Sequence, residues 1–160
     1  MGAEKVILYV MFVGGLLFFF YSLRKPPIKD WLLAFFITGY FALILGVMVV
    51  ESGMLSYPVT IFPYFDSSPL FELVLFPVLS LHYYQTTYHY SFKGYLLKGF
   101  MYTSILTITE VLLEKFTDLV QYNTWKWYYT FISVYVFFVI IRCLLQFISN
   151  LPDQEQKGTH

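Results

Sequence analysis

Five stretches of this chain each approach the roughly 20 apolar residues that a helix needs to cross about 30 Å of hydrocarbon. They cover residues 5–23, 31–50, 70–88, 95–116 and 127–149. The third is the least uniform, because Glu72, Pro77 and His82 interrupt it. With 58% hydrophobic and only 12% charged residues, the chain is far from the balance of a soluble domain, where about a quarter of residues are charged. Lipid is therefore the expected solvent. The first stretch opens with one Glu and one Lys and is followed by "RKPPIK" with no small-x-small site, so it reads as a retained span and not as a cleaved signal peptide.

The predicted fold is all-α: a polytopic membrane helix bundle of about five transmembrane helices in one domain, residues 1–150. The polar tail at 151–160 is expected to be disordered and cytoplasmic. Orientation follows from Lys and Arg, which concentrate on the cytoplasmic side. Arg24, Lys25, Lys29, Lys93, Lys98, Arg142 and Lys157, seven of the ten basic residues, share one side of a five-span chain. That predicts the N-terminus out and the C-terminus in. Aromatic belts agree: Trp31 with Tyr83, Tyr84, Tyr88 and Tyr90 at the inner level, and Trp125, Trp127, Tyr128 and Tyr129 at the outer one. Asp30 is expected to cap the second span. "FDSSPLFE" reads as the start of the third, with Ser67 or Ser68 as cap and Pro69 in the first turn. The proline-bearing connection 51–69 is expected to fold over the outer face of the bundle, since irregular backbone cannot lie in lipid.

Net charge is zero, so no nucleic-acid partner is expected. Cys143 is the sole cysteine; it cannot form an internal disulfide and reads as a packed, inert thiol. His82 and His89 lie seven apart with no third ligand at metal spacing, so no metal is assigned. Neither a cofactor motif nor a nucleophile–base arrangement stands out, and an enzyme is not expected.

Polar residues inside the apolar stretches carry the functional signal. Thr103, Thr107, Glu110 and Glu114 follow steps of four, three and four, so they share one helix face, and Gly99 extends the line. Gly39, Ala42 and Gly46 make a similar small-residue face on the second span, which is its expected packing neighbour. Glu51, Glu72, Glu110 and Glu114, from three helices, all fall near the outer boundary. Each could simply mark a helix end, or pair with Lys115 or Lys126. Alternatively they converge, with Glu72 and Glu110 submerged, to hold a proton, a cation or the polar end of a lipid. Arg142 shares a face of the last span with Tyr135, Gln146 and Ser149. It is expected to snorkel to the inner headgroups, or to meet a tyrosine such as Tyr83 or Tyr84, or a lipid phosphate. His82, Tyr83 and Gln146 complete that polar set.

The segment "EVLLEKFTDLVQYNTWKWYYTF", with "FPVLSLHYYQTTY" before it, resembles a family of short, uncharacterised multi-span membrane proteins from spore-forming Firmicutes. Glu110, Glu114, Tyr122, Trp125 and Trp127 match its pattern. The resemblance implies a bacterial plasma membrane and a sporulation-linked setting, and brings no assigned activity. Two functions compete. One is a non-catalytic accessory or assembly protein that packs on itself or on a membrane partner through its small-residue seams. The other is a small carrier or channel for protons, cations or a lipid-like solute, using the outer glutamates.

Overall fold

The computed structural model describes residues 2–62, 64 and 67–150; Asp66 and the polar tail at 151–160 lie outside them. Four helices are long and apolar enough to cross a membrane: α1 (Ala3–Ser22), α2 (Ile28–Glu51), α4 (Phe92–Phe116) and α5 (Trp127–Ser149). The remaining helix, α3 (Phe76–Thr87), continues a helical run that begins at Pro69 and passes through a π turn at Phe71–Leu75. Pro77 supplies a reason for the π turn. It has no N–H to give, and its ring crowds the carbonyl four residues earlier, so the wider turn just before it relieves the conflict.

α3 is the central helix. α1, α2 and α4 all pack on it, and α5 packs in turn on α2 and α4. Polar bonds radiate from α3 to every other helix. Ser80 accepts from Thr38 of α2 at 3.0 Å, and Gln85 donates to the Ser22 carbonyl of α1 at 2.8 Å. The Tyr83 hydroxyl donates to the Tyr95 carbonyl of α4 at 2.9 Å, while Arg142 of α5 reaches its last turn. This explains why the third apolar stretch is the least apolar. Its polar groups face protein, and the outward faces of the other four helices are left apolar enough for lipid. Bonds of this kind average about 0.6 kcal/mol in membrane proteins, so they fix register more than they add stability.

The expected pairing of α2 with α4 is not what forms. Gly39 of α2 faces Pro77 and Leu73, Gly46 faces Glu72, and Gly99 of α4 faces Tyr83 and Tyr135. Each small-residue face is there, but α3 sits between α2 and α4 and accepts both. Ala42, Thr103 and Thr107 are buried within the same packing. Periodicity shows which side of a helix turns inward, and it carries no information about which neighbour waits there.

Local sequence sets the helix ends. Pro26 and Pro27 stop α1 and lead into α2. Asp30 does not cap α2. It lies in the first turn, where its charge suits the helix dipole, and accepts from the Tyr88 hydroxyl at 3.4 Å. α2 closes in a Schellman motif: Gly53 adopts a left-handed φ of +71°, its N–H bonds to Val50 O, and the Met54 N–H bonds to Val49 O. The chain then enters a short strand, β1 (Leu55–Ser56), antiparallel to β2 (Gln121–Tyr122), with Leu55 opposite Tyr122. The Met54 carbonyl receives the N–H groups of Asn123, Thr124 and Trp125 at 3.0–3.1 Å. This two-stranded ladder, which the all-α reading lacks, ties the α2–α3 connection to the α4–α5 connection. Ser67 and Ser68 are buried before α3, and the Ser68 carbonyl, not a serine hydroxyl, accepts from Phe71 and Glu72.

Two apolar clusters stand at opposite ends of the bundle. Trp31, Ala34, Leu81, Tyr84, Ile141 and Leu145 form one, and Leu8, Leu55, Leu70, Leu119 and Val120 the other, under the ladder. Trp31, Tyr83 and Tyr84 are thus core residues and not part of a headgroup belt. Trp31 completes its own bond inside, donating to the Lys25 carbonyl at 2.6 Å. Trp127 and Tyr129 are exposed at the ladder end, as belt residues should be.

Candidate functional site: an acidic cavity inside the bundle

Between the ladder and the middle of the bundle lies a cavity of about 580 Å³, lined by residues of all five helices. Its wall is mostly aliphatic and aromatic. Polar groups come from Glu72, Glu110, Thr109, Thr130, Ser133, Tyr57 and Trp125. A concave, largely apolar space with a few convergent polar groups is the usual form of a small-molecule site.

Glu72 is carried into the cavity by the π turn. It is 6% exposed, and neither of its carboxylate oxygens has a hydrogen-bond partner among the described residues. A buried, unpartnered carboxylate is costly and needs a proton, a cation or a donor. Gly46 lies directly against it, so a Cβ there would overlap the carboxylate. The missing side chain is what makes room for the acid.

Glu110 is held differently. Its Oε1 accepts from the Tyr122 hydroxyl at 2.5 Å and from the Thr130 hydroxyl at 2.7 Å, and Trp125 Nε1 donates to Thr130 at 2.7 Å. Tyr122 belongs to β2, so the ladder positions one of the two donors, and the start of α5 supplies the other. Outside the helices, burial and the bond to Glu110 raise the pKa of the Tyr122 hydroxyl. Burial, with the nearby Glu110 and Glu72 charges, does the same for Tyr57. The Tyr57 ring stacks on Phe71, so this tyrosine belongs to the cavity wall.

Of the four expected glutamates, the structure brings Glu72 and Glu110 to one cavity. Glu51 is exposed at the end of α2, and Glu114, one turn beyond Glu110, is half-buried; neither lines the cavity. Tyr57, Tyr122 and Thr130 were not legible as site residues. Tyr122 and Trp125 stand out in sequence only as members of an aromatic segment, and no spacing rule links position 122 to position 110 across a turn.

Arg142 does not snorkel. It is 1% exposed, folded inward against the end of α3. Nε donates to Thr87 Oγ1 at 3.2 Å, Nη2 to the Thr87 and Tyr88 carbonyls at 2.9 and 3.2 Å, and Nη1 to Gln146 Oε1 at 3.1 Å. The guanidinium also lies over the Tyr84 and Tyr95 rings, 5.0 and 5.5 Å from their centroids. All four acceptors are neutral. The cation therefore caps the last carbonyls of α3, where the helix dipole is negative, and this site is structurally complete. Tyr83 serves the same region through its bond to Tyr95, and His82 packs its ring between Phe18 and Tyr102. Cys143 is exposed and not packed, with its sulfur 3.4 Å from the Tyr95 hydroxyl. Among the described residues no three His, Cys, Asp or Glu side chains gather as metal ligands would.

The fold and site together define a class: a helical bundle with lipid-compatible outer faces and an acid-bearing cavity near one end. No family model, curated protein or solved structure matches the chain.

Proposed function

We propose that this chain is a non-catalytic integral protein of a bacterial cell membrane, crossing it five times with the N-terminus outside, and that it binds and carries a membrane-soluble small molecule in the cavity. The observation behind this reading is Glu72: a buried carboxylate without a hydrogen-bond partner among the described residues, in the wall of an apolar space large enough for a ligand. Access supports it. α1 packs on α3 and its π turn, α4 packs on α3 and α5, and α1 and α4 share no substantial contact. Both nevertheless line the cavity, and Ile105 of α4, one of its wall residues, is 58% exposed. The space therefore opens sideways, toward acyl chains. An accessory or assembly protein is the other reading, favoured by short loops, the lack of a cofactor motif and small-residue seams; Gly39, Gly46 and Gly99 pack within the bundle, which weakens the last of these grounds.

The test fills the space. A Cβ on Gly14, an exposed residue of the cavity wall, meets nothing within 4 Å, so Gly14→Phe has room for a ring at the cavity rim without disturbing the fold. Protein in lipid nanodiscs is titrated with decanol and read by the part of the tryptophan emission that Trp125→Phe removes, since Trp31 and Trp127 also emit. Saturable binding by the native chain, lost in Gly14→Phe at unchanged melting temperature, is expected. Absence of saturable binding in the native chain would defeat the reading.

A further inference from the structure

The proposed carrier reading leaves the solute open, and the cavity wall narrows it. Two carboxylates, Glu72 and Glu110, line the space, and among the described residues no Lys, Arg or His does. Elsewhere in the bundle the buried charge is fully answered: Arg142 directs its donors to four acceptors. Among the described residues no charge answers Glu72, and the neighbouring Ser67 hydroxyl makes no hydrogen bond to it. Gly46 at its back shows that the packing admits the carboxylate at this position, and among the described residues both of its oxygens lack a hydrogen-bond partner. Glu110 has one oxygen, Oε1, fixed by Tyr122 and Thr130, so it presents a second, pre-oriented negative group.

Phe18, Phe71, Phe76, Phe137 and Trp125 are aromatic residues of the same wall. Aromatic faces attract organic cations, and more so when water is excluded. A small metal ion fits less well, since hard cations take six or more oxygen ligands and the wall offers two carboxylates. A hydrated ion is also ill-suited to an opening that faces acyl chains.

We propose that the cavity selects a lipophilic organic cation, an ammonium-type head on an apolar body, with the Glu72 carboxylate as its counter-charge. The head sits between Glu72 and Glu110, and the apolar body lies along the aliphatic wall toward the gap between α1 and α4. Such a head arrives either on a free amphiphile or on an amine-bearing lipid.

Three probes with one decyl chain test this in nanodiscs of phosphatidylglycerol: decylammonium, decanol and decyl sulfate, each corrected for partition into protein-free discs. The expected order is the cation about tenfold or more tighter than the alcohol, as a charge-assisted contact would give, with the sulfate weakest. Glu72→Gln should bring the cation to the level of the alcohol, and an unchanged melting temperature shows that the variant is folded. Replacing part of the lipid with phosphatidylethanolamine separates the two sources: competition with the probe identifies a lipid ammonium as the occupant, and its absence a free amphiphile. Equal binding of all three probes overturns the cation assignment while keeping the carrier reading. Selectivity that survives Glu72→Gln overturns the role of Glu72. Failure of all three probes removes the carrier reading itself.

Discussion

The carboxylate of Glu72 occupies the space that a Cβ on Gly46 would need. One residue lies on the π turn before α3 and the other near the end of α2, so the smallest side chain in one helix is matched to a buried acid in another. Gly46→Ala should therefore lower stability by about 1–3 kcal/mol, the usual range for overpacking. In a Glu72→Ala background the same substitution should cost little, a coupling a double-mutant cycle detects. Gly39→Ala is the control, because its Cβ would sit at an ordinary 3.4 Å from Pro77. Unfolding of the detergent-solubilised variants measures all three. Equal losses at positions 39 and 46, or additive behaviour with Glu72→Ala, would contradict the match.

Arg142 ends α3 from outside. Replacing it with Met keeps much of the stem's packing but strips donors from two backbone carbonyls and the Thr87 hydroxyl. The expected loss is about 2–4 kcal/mol, since several buried acceptors are left bare at once. Arg142→Lys should recover little, because an ammonium lacks the planar fork that reaches Thr87, Tyr88 and Gln146 together. Gln146→Ala, which removes one exposed partner, should cost under about 1 kcal/mol. Melting temperatures rank the three. A lysine variant as stable as the native chain would show that charge alone suffices.

Sequence carries much of the helix plan and little of the contact plan. The boundaries of α1, α2, α4 and α5 fall close to the apolar stretches because hydrocarbon thickness and prolines set them. Glu72 and Glu110 were legible as anomalies because an acid within an apolar run is costly wherever it points. Their meeting was legible only as one alternative among several, because it depends on α3 lying between α2 and α4 and on the π turn that carries Glu72 to Gly46. Arg142 was equally visible and equally ambiguous. Its partners are backbone carbonyls at the end of α3, and every residue has a carbonyl, so no side-chain pattern could announce them. The ladder escaped notice for a similar reason: two residues per strand are too few to show alternation.

Tyr57 and Tyr122 make the ladder end sensitive to alkali. Both hydroxyls have a pKa raised above the ordinary 10.0, by burial first and then by Glu110, with Glu72 adding to Tyr57. Because the folded values lie above the unfolded ones, the stabilisation is fully present below about pH 10 and is lost as pH rises through the folded values. Absorbance of tyrosinate near 295 nm should show these two residues ionising after the exposed tyrosines. Tyr57→Phe/Tyr122→Phe should melt less steeply with pH above 10 than the native chain, although Tyr122→Phe also removes a donor to Glu110 and lowers stability at neutral pH by about 1 kcal/mol. A native chain whose tyrosines all ionise together at their ordinary pKa would refute the buried placement.

The two ends of the third helical segment decide how many times the chain crosses. Leu70, near its start, packs with Leu55, Leu119 and Val120 under the ladder, and Thr87, at its end, meets Arg142 in the last third of α5. The run from Pro69 to Thr87 rises roughly 28 Å at 1.5 Å per residue, close to the thickness of the hydrocarbon core. Ser52 follows α2 and Ser91 follows α3, and both are exposed. Five crossings put them on opposite sides, whereas four crossings, with α3 failing to span, put them on the same side. In a Cys143→Ser background, a membrane-impermeant maleimide applied to intact cells should label Ser52→Cys and should reach Ser91→Cys only after permeabilisation. The basic residues predict that direction, because Lys93 and Lys98 accompany Ser91 while no Lys or Arg lies between α2 and α3. Labelling of both positions in intact cells would reduce the count to four, and labelling of Ser91→Cys alone would invert the bundle.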